Sequence, residues 1–178
     1  QFDKNSKCFK LEFKCNNNNN IKFDELISFN IYNLIEKLNH EIIHKIEILK
    51  EYSKDEVDVL FIFQKIGAEL GLAQKYMAIH VEKKQVGNNI YINSTHINYS
   101  KDNFKGRFEP LICELGEMIL YNTHLHVFDL YYKFRIDTNE DLPIYMENYI
   151  GIMMKKIFFN LKVFIDNFSN TNNIIDDK

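Results

Sequence analysis

The residues of this chain that could do chemistry are mostly histidines and cysteines. His40-Glu41-Ile42-Ile43-His44 has the spacing His-Glu-x-x-His, in which two histidines one helical turn apart grip Zn²⁺ and the glutamate activates its water. That chemistry needs all five residues on one helix. Here Ile46 and Ile48 alternate with Lys45 and Glu47 directly after the second histidine, which is the period of a strand. Lys45 also puts a charge where the protease helix keeps an uncharged residue, and Glu69 is only one of several choices for a third ligand. The match is read as a coincidence of spacing, with a zinc metalloprotease kept as the alternative. His124-x-His126 places two rings on one face of a strand, but no cysteine or second pair stands near it to complete a ligand set. Cys8, Cys15 and Cys113 are odd in number and lack a paired short spacing, so reduced thiols and a cytoplasmic location are expected. No serine or cysteine sits in a nucleophile motif, and the six glycines form no phosphate-cradling loop. The chain is expected to be no enzyme, with no catalytic residue, metal or cofactor assigned.

The elements that must position any site follow from composition and period. With 178 residues, 46% apolar and 14% aromatic, one domain can bury a sizeable core. A single domain over 1–178 is expected, with a folded core at 7–168 and a polar tail at 169–178. The 22 Lys and Arg against 25 Asp and Glu are spread along the chain, and only Arg107 and Arg135 are arginines. Nucleic acid is therefore not an expected partner. No stretch approaches the ~20 apolar residues that cross a bilayer.

Phe9, Leu11 and Phe13 alternate with Lys10, Glu12 and Lys14, predicting a strand over 8–15. From Phe23 to Leu38 the apolar residues recur at helical spacing beside Asp24 and Glu25, predicting an amphipathic helix. Strands follow at 45–51 and 52–64, joined by Ser53-Lys54-Asp55-Glu56. A hairpin at 76–82 and 89–97 turns at Gly87-Asn88. Two further strands are placed at 107–114 and 117–121, and another at 127–136. A helix over about 142–168 carries Met146, Ile150, Met153, Ile157, Leu161, Phe164 and Phe168 on one stripe.

Three segments carry a family resemblance. His44-Lys-Ile-Glu-Ile-Leu-Lys-Glu-Tyr52 with Asp55-Glu-Val-Asp-Val-Leu-Phe61 forms one strand pair, and Gln74-Lys-Tyr-Met-Ala-Ile-His-Val-Glu-Lys83 leads to Ile90-Tyr-Ile-Asn-Ser-Thr95. The third runs from the strand pair at 107–121 to Tyr131-Tyr-Lys-Phe-Arg-Ile-Asp-Thr-Asn-Glu-Asp-Leu-Pro143 and the terminal helix. Together they resemble the START lipid-transfer family and its wider helix-grip superfamily. Gln74-Lys75 stands where that family usually has Arg-Asp, His80 stands where an arginine is common, and there is no tryptophan. The resemblance implies an α+β helix-grip fold, a curved antiparallel sheet around a long C-terminal helix. It implies binding and transfer of a lipid or sterol, with transient contact at a membrane surface. A co-chaperone or interaction module on the same fold is the other alternative.

In that fold the apolar faces line the space between sheet and helix. The resemblance therefore nominates Phe61, Phe63, Met77, Ile79, Ile92, Leu111, Phe128, Leu130, Tyr132, Phe134, Tyr149, Met153 and Ile157 as lipid contacts. Arg107 and Glu109 share a strand face with Leu111 and are either a hydrated strand start or a buried pair meeting the ligand's polar group, with His80 as a further donor.

Overall fold

Alternating apolar and polar residues, punctuated by short turns, build the strands of this molecule. The computed structural model describes residues 2–3, 5–6, 8–17, 28–65, 73–124, 127–137 and 144–167. Among them are β1 (Phe2–Asp3), β2 (Cys8–Asn16), α1 (Ile31–Leu38), β3 (Ile43–Ser53), β4 (Glu56–Phe63), β5 (Gln74–Val86) and β6 (Asn89–His96). A 3-10 turn at Lys101–Asn103 precedes β7 (Phe108–Pro110), β8 (Ile112–His124), β9 (Val127–Asp137) and α2 (Ile144–Asn167).

The strands form one sheet in the order β1-β2-β9-β8-β6-β5-β4-β3, each neighbour antiparallel. β7 instead pairs parallel with the start of β5. Both helices lie against one face, giving the α+β helix-grip architecture. On that inner face Val57, Val59 and Phe63 of β4 and Ile79 and Val81 of β5 pack with Phe134, Ile150 and Ile157. A second inner cluster joins Cys15, Ile90, Leu120 and Leu130 to Phe158, Leu161 and Ile165 of α2. Each such side chain contributes roughly 1.5–3 kcal/mol when fully buried. The outer face carries its own small core of Leu60, Ile62, Tyr76 and Ala78, covered by Tyr99, Phe104 and Phe108 from the segment that folds back over it.

The turns follow their residues. Gly87 takes φ +60° between β5 and β6, a backbone region that costs glycine little. Between β3 and β4, Asp55 N donates to Ser53 Oγ (3.1 Å).

Several elements differ from expectation. The strands placed at 107–114 and 117–121 are instead the three-residue β7 and the thirteen-residue β8. Gly116 does not break the strand. It sits opposite Ser94 and Phe134, at a point where a Cβ would lie 2.0 Å from Ser94 Oγ. The break falls at Leu111, after Pro110, which has no N–H for a ladder. Strand β1 was not expected and pairs with β2. The expected first helix is seen as α1 from Ile31. The part of it at 23–27, the start of the terminal helix at 142–143 with Phe168, and the tail at 169–178 lie outside the described residues.

Candidate ligand cavity

Strand parity decides which side chains meet the helices. On β5, Met77, Ile79, Val81 and Lys83 point inward, and on β4 Phe61 and Phe63 do the same. From β6, β8 and β9 come Ile92 and Ser94, Met118 and Leu120, and Leu130 and Tyr132. Helix α1 closes one side with Tyr32 and Ile35, and α2 lays Met154, Ile157, Phe158, Leu161 and Ile165 across the opening. The space they enclose is about 160 Å³. Its wall is almost wholly apolar, and three methionines (Met77, Met118, Met154) give it an adaptable surface.

Few polar groups interrupt this wall. Lys83 is the cationic one, its side chain only 14% exposed, with Nζ 3.0 Å from Asp55 Oδ1 and 5.8 Å from the centre of the Phe29 ring. Ser94 Oγ donates a long hydrogen bond to Gly116 O (3.4 Å). Burial pushes the Cys15 thiol up to about 12. It also raises the Tyr32 and Tyr132 hydroxyls above their ordinary range, so all three stay neutral at physiological pH.

Of the nominated residues, Phe61, Phe63, Met77, Ile79, Ile92, Leu130, Tyr132 and Ile157 meet at this cavity. Phe134 is buried beside it, stacked on Phe9 and Tyr132, while Leu111 and Met153 pack against the same cluster without reaching the cavity wall. Asp129 and Lys133 point the other way, toward Lys14 and Glu117 respectively. The side chain of Phe128 lies outside the described residues, as do those of Met146 and His124 and all of His126.

Four nominated residues belong elsewhere. Arg107 is 73% exposed and reaches Glu109 at 3.4 Å, while Glu109 also accepts from Lys75 (2.6 Å). The pair sits on the solvent side of the short β7, the hydrated arrangement, because β8 rather than β7 carries the inward face. Tyr149 is 36% exposed on α2. His80 lies one residue from Ile79 and so must face outward, where its Nδ1 bonds Asp58 Oδ1 at 2.7 Å. That hydrogen bond, against the opposing effect of burial, holds the imidazole above its ordinary range, helped by the charges of Asp58, Glu56 and Glu82.

Lys83, Met118, Leu120, Met154 and Phe158 are among the lining residues that sequence reading missed, although the parity of Lys83 with Met77, Ile79 and Val81 marks it as inward. The His-Glu-x-x-His residues do not share a helix: His40 and Glu41 lie in the turn after α1, and His44 is the second residue of β3. Glu41 instead pairs with Lys156 of α2. The geometry that a metalloprotease requires is therefore missing, and Glu69 lies outside the described residues.

No protein-family model and no curated protein matches the chain by sequence. Its structure is similar to that of human STARD10 (TM-score 0.68, 10% identity), covering 93% of this chain and 66%, just under two thirds, of that one. The lipid transfer and protein localization domain of human StarD13 superposes over 87% of this chain and 75% of its own (TM-score 0.67, 8% identity). The STAR-related lipid transfer protein of Xanthomonas axonopodis covers 92% of this chain and 86% of its own (TM-score 0.61, 12% identity).

Proposed function

We propose that this chain, which has the START helix-grip fold, is a non-enzymatic lipid-binding protein that holds an apolar ligand between sheet and helices and passes it between membranes. The observation that carries this reading is the apolar space of about 160 Å³ beneath α2, with one cation, Lys83, at its edge. An apolar molecule in water loses roughly 25 cal/mol per Å² of exposed surface, so enclosure makes the protein its carrier. Lys83 supplies a charge-assisted donor for a phosphate or carboxylate headgroup.

A drug-sized ligand needs about 300–1,000 Å³. A space of about 160 Å³ therefore takes only a small apolar group, and an acyl chain or sterol requires α2 to move outward. The outer side of α2 suits a membrane surface. Tyr149, Ile152, Phe159 and Val163 recur at helical spacing and are exposed, Ile152 by 65% and Phe159 by 56%, with Lys156 between them. Such a stripe enters the headgroup boundary while lysines face anionic lipid. Among the described residues no helix is long and apolar enough to cross a membrane. A cytoplasmic location fits the three free cysteines.

Transfer of a fluorescent phospholipid or sterol from donor to acceptor vesicles tests the proposal. The wild-type chain accelerates transfer. I152E/F159E slows it several-fold while binding in solution persists. A wild-type chain that neither binds nor transfers either probe would favour an interaction module with a packed interior.

A further inference from the structure

On the outer face of the sheet, at the β3–β4–β5 end, four ionisable side chains converge that the cavity does not use. Glu56 and Glu82 stand directly opposite each other across β4 and β5, and Asp58 stands opposite His80 in the next pair. Like charges placed directly opposite each other destabilise a sheet, so two glutamates facing one another call for a cation between them. His80 supplies one when protonated, but its geometry fits another role better. Its Nδ1 is engaged by Asp58 Oδ1 at 2.7 Å, and Asp58 Oδ2 in turn accepts from Tyr52 O–H (2.9 Å). The Tyr52 ring stands edge-on to the imidazole at 5.7 Å. This fixes the ring and leaves Nε2 aimed at Glu56 Oε1 (3.5 Å) and Glu82 Oε1 (3.7 Å).

Those two distances are long for hydrogen bonds. They match the ~3.4 Å edge of a tetrahedron built from metal–ligand bonds of about 2.1 Å. The ligand atoms of the three residues all lie within 4.8 Å of one another, and Glu56 and Glu82 are exposed enough (41% and 65%) to close that edge by small rotations. A carboxylate that holds the far nitrogen of a histidine is also the usual outer-shell support of a ligating imidazole. Lys50 lies over the Tyr52 ring at 4.2 Å.

We propose that Glu56, His80 and Glu82 form a divalent-metal site taking Zn²⁺ or a similar first-row cation through one imidazole and two carboxylates, with Asp58 and Tyr52 as positioning residues. The remaining coordination positions face solvent, and the bound ion links β4 to β5 directly and β3 through Tyr52.

The test is calorimetric titration of the tag-free, chelator-stripped full chain with ZnCl₂, repeated with Co²⁺ to read its visible spectrum. One equivalent of Zn²⁺ binds the wild type. H80Q and E56Q/E82Q each weaken binding at least about tenfold, and D58N weakens it about 10–100-fold through the ring it holds. H40Q/H44Q leaves it unchanged. The proposal is overturned if the wild type shows no saturable binding, or if binding survives H80Q and E56Q/E82Q. It fails equally if binding is lost only in H40Q/H44Q. Circular dichroism checks the variants, and the single E82Q, at a 65%-exposed side chain, decides the matter should H80Q not fold. None of these outcomes depends on whether the cavity binds lipid.

Discussion

Gly116 occupies a mid-strand position where any side chain meets Ser94, its Cβ falling 2.0 Å from Oγ and 3.4 Å from Cβ. The hydroxyl can rotate away only by giving up its bond to Gly116 O in a site that is 8% exposed. Gly116→Ala is expected to destabilise by about 1–3 kcal/mol, and less in a Ser94→Ala background; urea midpoints of the four proteins measure the coupling. Buried titrating groups give a second residue-scale prediction. Burial raises Cys15 to about 12 and Cys113 to about 11, and raises Tyr32 and Tyr132 as well. Each folded pKa lies above its unfolded value, so the unfolded chain releases protons first. Their contribution is whole below about pH 8.5, the unfolded thiol pKa, and is lost as pH climbs through the folded values. The urea midpoint should fall steeply between pH 8 and 11, and iodoacetamide should leave Cys15 and Cys113 unmodified until the chain unfolds. Residue-level legibility depended on parity. Once Met77, Ile79 and Val81 are inward, Lys83 must be inward and His80 outward, a deduction available from the sequence. The encounter of His80 with Glu56 was not, because it depends on the β4–β5 register.

At the scale of elements, the polar ties of α2 among the described residues lie in its C-terminal half. Asn160 Nδ2 donates to Leu38 O (3.1 Å) and Asn39 Oδ1 (3.0 Å), while Asn39 Nδ2 donates to Ile35 O (2.9 Å). Asp166 accepts from the backbone N–H of Asn16 (2.8 Å), and Lys156 meets Glu41. Asn39 is 2% exposed, so Asn160→Ala leaves a buried oxygen without this donor and should cost about 1–3 kcal/mol, read from thermal or urea unfolding. With the described polar ties at 156–166, amide exchange should be faster at 149–153 than at 157–165. The strands with clean alternation (β2, β6, β9) were legible because one face of each is buried, whereas β4 also buries Leu60 and Ile62 on its outer face. The 107–121 region was not, because Pro110 and Gly116 are both turn residues by composition, and only the neighbouring β6 shows that Gly116 serves close approach. The His-Glu-x-x-His spacing was decided by its element: the alternation from Lys45 onward pulled His44 into β3.

For the whole molecule, the sheet-around-helix arrangement was legible from element order, whereas the size of the space inside was not. Volume depends on how side chains from seven strands and two helices meet, and no local pattern encodes that. Filling the space tests whether it matters. Ile92→Trp places a ring into the cavity wall between the two inner clusters. In a packed core such overfilling costs about 1–3 kcal/mol; in a cavity of about 160 Å³ the indole should be accommodated at less than that cost while bound lipid is displaced. The most direct test of the central claim is native mass spectrometry of the purified wild-type chain, followed by solvent extraction and lipid analysis. The account predicts a discrete added mass, released on unfolding, which extraction identifies as a lipid, and its loss in Ile92→Trp. A wild-type chain carrying no added mass, and acquiring none after incubation with phospholipid or sterol vesicles, would contradict it.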